Sequence, residues 1–81
     1  MSEVPRDAHD PASEVASVVT QRRKSLGLRQ EDLADLAQVS HRFVQALEAG
    51  KPTVRLDKVA AVLEALGLEL AVVPRSRSSR R

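Results

Sequence analysis

The chain has no cysteine, no tryptophan, no tyrosine and one phenylalanine. Without cysteine there is no disulfide framework, no thiolate nucleophile and no thiolate metal site. With one aromatic ring there is no platform on which single-stranded bases stack. No apolar run approaches the length of a membrane span, and residues 1–10 lack the apolar core of a signal peptide. A cytoplasmic location is expected. Metal-ligand spacings, phosphate loops and nucleophile motifs are also missing. His9 sits in a polar stretch, and His41 falls on a helix with no acid partner evident. Catalysis needs convergent titratable groups, so neither an enzyme nor a cofactor or metal is expected.

At 81 residues the chain holds one domain at most. So short a chain is marginal alone and gains from association. Its net charge is only +2, yet the charges are unevenly placed. Arg75, Arg77, Arg80 and Arg81 fill a tail without acids. Arg22, Arg23, Lys24, Arg29, Arg42, Lys51 and Arg55 gather along the middle of the chain. A local basic face on a nearly neutral protein fits nucleic acid, and equally fits ordinary solvated helix surface. The expected organisation is a flexible arm over 1–10, a folded domain over 11–73 and a disordered basic tail over 74–81.

Helices are expected over about 11–26, 30–37, 40–49 and 56–66. Asp10-Pro11 is a cap followed by a first-turn proline. Val15, Val19, Arg23 and Leu26 share one face of the first helix, with Val18 beside it. Leu56, Val59, Val62, Leu63 and Leu66 share one side of the last, and Val54 is an inward anchor before it. All three glycines, Gly27, Gly50 and Gly67, fall at helix C-termini. Arg23 on an apolar face needs a carboxylate, for which Glu48 is the best candidate. Alternatively its stem carries the charge to solvent.

The stretch Gln30 to Glu48 organises the rest. Leu33, Ala34, Ala37, Val39, Val44 and Leu47 are apolar at the spacing of two helices joined by a tight turn, with small Ala34 where the helices approach. That is the helix-turn-helix pattern. Ser40 caps the second helix of the pair, whose outer face carries His41, Arg42, Gln45 and Ala46, in the manner of a recognition helix in the major groove. The turn usually needs positive φ at a glycine, and here Gln38 holds that place.

Leu68-Glu69-Leu70-Ala71-Val72-Val73 is short, β-prone and bounded by Gly67 and Pro74. It reads as a lone strand, with an irregular segment packed on the last helix as the alternative. A lone strand leaves backbone groups unpaired, and pairing across a homodimer's two-fold axis satisfies them. Leu68, Leu70 and Val72 are the dimerisation residues of that expectation. The fold class is therefore mainly α, a bundle of four helices with one short C-terminal β-strand pairing across a homodimer.

From Val15 to Arg75 the chain resembles a Cro/repressor-type, lambda-repressor-like helix-turn-helix protein of the Xre class. Leu26-Gly27-Leu28-Arg29-Gln30-Glu31-Asp32-Leu33-Ala34, Val39-Ser40 and Leu47-Glu48-Ala49-Gly50-Lys51 carry the likeness. Pro52-Thr53-Val54-Arg55-Leu56-Asp57 and Val62-Leu63-Glu64-Ala65-Leu66-Gly67-Leu68-Glu69-Leu70 add a narrower one, to HipB-type antitoxins. The first resemblance implies a transcriptional repressor on double-stranded DNA with a near-palindromic operator. Related folds place an Arg and a Glu where Arg23 and Glu48 stand, which implies a structural ion pair. The second implies autoregulation and binding of a HipA-type serine/threonine kinase toxin. Alternatives are a stand-alone phage-type or housekeeping Xre regulator, or an interaction module that mainly neutralises a kinase.

DNA-binding roles follow by residue. Gln30 and Ser40 are placed for phosphates, and Arg42 for the two major-groove acceptors of guanine. Gln45 suits adenine, Ala46 a thymine methyl, and His41 a base or phosphate. Lys51 is a phosphate candidate. Arg29 and Arg55 stand where Ser or Thr commonly caps the second and fourth helices, so the expectation is a cap exchanged for a phosphate contact.

Overall fold

A computed structural model describes residues 10–74. The arm expected over 1–10, apart from Asp10, and the tail expected over 74–81, apart from Pro74, lie outside the described residues. Four helices form between the expected start and stop signals: α1 (Pro11–Ser25), α2 (Gln30–Ala37), α3 (His41–Glu48) and α4 (Leu56–Ala65). Asp10 opens α1 by accepting the Ala12 amide at 3.2 Å, with proline at the first turn. Ser40 opens α3 by accepting the Phe43 amide at 2.9 Å.

One closure ends all four helices. The chain turns left-handed at Gly27, Gln38, Gly50 and Gly67, and the next amide reaches back over the last turn. These bonds run from Leu28 to the Arg23 carbonyl (3.1 Å), Val39 to Ala34 (3.0 Å), Lys51 to Ala46 (3.1 Å) and Leu68 to Leu63 (2.8 Å). Gln38, with φ of 59°, takes a conformation that costs a side-chain-bearing residue about 1–2 kcal/mol. That turn fixes the angle between α2 and α3.

Helix α2 packs on α3 and α4, and α1 closes over α3. The core between them comprises Val19, Leu33, Ala34, Ala37, Val44, Leu47, Val59, Val62, Leu63 and Leu66. Burying each Leu or Val stabilises by roughly 1.5–3 kcal/mol. Ala34 is 3% exposed, so its methyl group sets how closely α2 approaches its neighbours. Val54 leans on this core from the loop before α4, as expected.

Three expectations are corrected. Leu26 and Leu56 are exposed rather than part of the apolar faces. Each lies at a helix end, Leu26 just past α1 and Leu56 as the first residue of α4, where the chain has left or not yet reached the core. The strand expected over Leu68–Val73 does not form, and no strand occurs among the described residues. A strand exists through hydrogen bonds to a neighbour, and this single chain offers none. Leu68 instead packs against the core, while Leu70 is exposed and Val72 is 98% exposed.

Candidate nucleic-acid interface

The basic residues of the middle of the chain divide into different roles. Arg23 is buried under α1 and bound in two places by Glu48 of α3. Its Nε donates to Oε2 at 2.6 Å and one terminal nitrogen to Oε1 at 2.9 Å. The other terminal nitrogen donates to the Leu28 carbonyl at 2.8 Å, so the guanidinium is satisfied on every nitrogen. Burial pushes the Glu48 carboxyl up, but hydrogen bonds from Arg23, Gln30 and Thr20 and the Arg23 charge outweigh it and hold the group below its ordinary range. Arg22 turns the other way, its Nε donating to the Leu66 carbonyl at 2.9 Å, and thereby ties α1 to the end of α4. Arg23 is 9% exposed and is therefore not presented to a ligand.

Gln30 opens α2 half-buried, and its Nε2 donates to Glu48 Oε1 at 3.0 Å. Its amide nitrogen is thus committed to the ion pair, which links the start of α2 rigidly to the end of α3. Through this bond the buried pair positions Gln30.

Arg29 and Arg55 occupy the N-cap positions of α2 and α4 and make no side-chain cap there. Each pairs with an acid of the helix it precedes. Arg29 Nε lies 3.5 Å from Asp32 Oδ2, and the same oxygen accepts the Arg29 backbone amide at 2.8 Å. Arg55 grips Asp57 with two bonds, Nε to Oδ1 at 3.1 Å and a terminal nitrogen to Oδ2 at 2.7 Å. Asp57 Oδ1 also accepts the Lys58 amide at 2.9 Å, serving a helix-end donor that a capping side chain would otherwise take. The Asp32 carboxyl is held low first by the Arg29 backbone amide, and the Asp57 carboxyl first by the Arg55 side chain.

On α3, His41, Arg42 and Gln45 are exposed and Ala46 is half-buried, as a groove-reading face requires. Arg42 and Lys51 have no acidic partner among the described residues. A shallow cleft of about 280 Å³ runs between α3 and the start of α4. Ser40, Arg42, Phe43, Ala46, Lys51, Thr53, Val54, Arg55 and Lys58 line it. Four of these side chains are cationic and none is acidic. Arg42, Lys51 and Arg55, distant in sequence, are therefore brought to one surface, with Ser40 and Ala46 beside them. Arg29 and Gln30 belong to the neighbouring α2 end.

Lys58 was not among the sequence candidates. It stands one turn after Arg55 on α4, the spacing at which helix side chains share a face. Its Nζ lies 5.9 Å from the centre of the Phe43 ring, within cation–π range, which holds it over the cleft. The acids Asp32 and Asp57 were also missed. Their offsets of three and two from Arg29 and Arg55 were a readable signal.

Residues 19–73 match the model of a protein family described as helix-turn-helix. An uncharacterized HTH-type transcriptional regulator of Sinorhizobium fredii (strain NBRC 101917 / NGR234), y4mF, is 41% identical over 61 residues. That span covers 75% of this chain and 80% of the relative.

Proposed function

The chain belongs to this helix-turn-helix family, and from that premise we propose that it is a sequence-specific transcriptional repressor that reads the major groove of double-stranded DNA with α3. It is a DNA-binding regulator and not an enzyme. The observation that carries the reading is the acid-free cleft lined by Arg42, Lys51, Arg55 and Lys58 beside the exposed face of α3. Phosphate contacts from Lys51, Arg55, Lys58, Arg29 and the backbone N–H groups at Ser40 and Gln30 set the register. Arg42, Gln45, Ala46 and His41 then meet base edges.

The repressor acts as a homodimer on a near-palindromic operator, since a two-fold protein matches two half-sites. The exposed Leu70 and Val72 are the surface offered to the second copy. The narrower role, autoregulating antitoxin of a HipBA-like pair with a HipA-like serine/threonine kinase as partner, rests on the resemblance of residues 52–57 and 62–70 to HipB-type antitoxins.

Selection of bound duplexes from a random library tests the central reading. A near-palindromic sequence should be enriched, and Arg42→Ala should blur a guanine position within it. Recovery of no preferred sequence rejects sequence-specific repression. Co-purification with the product of the adjacent gene tests the antitoxin role, and absence of a kinase there or in the complex rejects it.

A further inference from the structure

We propose that Asp57, and Asp32 in the same manner, are affinity-limiting residues that occupy the arginines at the helix N-termini and hold back their grip on DNA phosphates. This rests on the DNA-binding reading above. Arg55 offers a two-donor edge of Nε and a terminal nitrogen, and both donors are on Asp57, at 3.1 and 2.7 Å. A phosphate oxygen pair takes that same planar edge. The side chains are 70% and 65% exposed, so the pair adds little to stability and is open to exchange with a ligand. Arg55 lines the cationic cleft beside Arg42 and Lys51, whereas Asp57 is not in that lining. A looser version stands at α2, where a single Arg29 nitrogen, Nε, lies 3.5 Å from Asp32, with 75% and 39% exposure, so the larger effect is expected at Asp57.

Two consequences follow on binding. The phosphate must displace the carboxylate or share the guanidinium with it, and the carboxylate then stands as a like charge beside the phosphate. Both effects weaken every duplex alike, because phosphates carry no sequence. Base readout by α3 is untouched. The acids therefore keep hold on bulk DNA weak while the order of preference among sequences stays with α3.

Asp57→Asn and Asp32→Asn, measured on the selected duplex and a random one, test this. Each should tighten both by roughly two- to fivefold, with the salt slope steeper by up to about 1. Glu64→Gln makes the same change in net charge two turns further along the face of α4 that carries Asp57, away from Arg55 and the cleft, and should do neither. In an Arg55→Gln background the gain from Asp57→Asn should vanish, because the acid acts through that arginine. An equal gain from Glu64→Gln, no gain from either Asp variant, or a gain that survives Arg55→Gln overturns the proposal. An unmodified protein that binds neither duplex at any salt overturns the DNA-binding reading beneath it, which is a different result. Melting curves confirm that each variant is folded.

Discussion

Arg42 and Arg23 are the same residue type put to opposite uses, and their surroundings decide which. Arg42 is exposed on α3 with no described acidic partner, so its fork is available to a guanine edge. Replacing it by Ala should cost about 1–3 kcal/mol on the operator and little on random DNA. Equal losses on both duplexes reassign it to phosphate. Arg23 is satisfied internally, with Glu48 and the Leu28 carbonyl on all its nitrogens. Removing either partner strands a buried charge, at about 3–5 kcal/mol, while Arg23→Met with Glu48→Leu should be milder. The carboxyl of Glu48 is held below its unfolded range. Its share of stability is therefore complete at neutral pH and is lost as pH falls through the depressed folded value. Acid melts of the double variant should lack that component. Asp32 and Asp57 shift in the same direction but lie in water, so their share is small. A double-mutant cycle without coupling between Arg23 and Glu48 rejects the pair as a structural element.

Helix ends separate the two arginine caps. At α2, Ser in place of Arg29 completes a reciprocal cap, because Asp32 already returns to the backbone amide of residue 29. At α4 the Lys58 amide is already served by Asp57, so Ser at position 55 has less to add. Arg29→Ser should raise stability by about 1 kcal/mol, and Arg55→Ser by less. For a domain of this size 1 kcal/mol is roughly 4–8 °C in Tm. Both should bind DNA less well, since each loses a cation at the interface; unchanged affinity and salt slope in both would remove these positions from it. Gln38→Gly should also stabilise, by roughly 0.5–1 kcal/mol, because it relieves the left-handed turn at some cost in unfolded-chain entropy. These ends were legible in the sequence because their signals are local: Asp10-Pro11, Ser40, and glycines at 27, 50 and 67. For Arg23 the sequence showed only that a charge on an apolar face demands a partner or a path to solvent; the choice of Glu48 came from the resemblance to related folds. Gln30 bonding Glu48 was not legible, since it depends on how α2 meets α3. Lys58 over Phe43 likewise needs two helices in place. The strand misled for a related reason: alternating apolar residues permit a strand, but only a neighbouring strand creates one.

That missing neighbour is the question at the scale of the whole molecule. Among the described residues the core is complete without residues 70–74: Leu70 is 43% exposed, Val72 98% and Val73 73%. Leu70 also borders a groove along α4, with Leu56, Ala60 and Ala61 on its apolar side. Asp57, Glu64 and Glu69 edge the same groove; exposed apolar side chains beside such a groove favour association, and a short chain gains from it. The proposed homodimer places two α3 helices on one face of DNA, with half-sites one helical turn or a multiple apart. Leu70→Asp with Val72→Asp should then leave each four-helix unit folded, because neither side chain is in the core. It should shift the protein to monomer in sedimentation at micromolar concentration. Binding to a single half-site should persist, while the advantage of a full palindrome over a half-site should disappear, since two independent monomers gain nothing from correct spacing. Inserting half a helical turn between half-sites should weaken only the unmodified protein. A chain that sediments as a monomer before any substitution, and binds half-site and palindrome equally per site, rules out the dimer and leaves residues 70–74 for another partner.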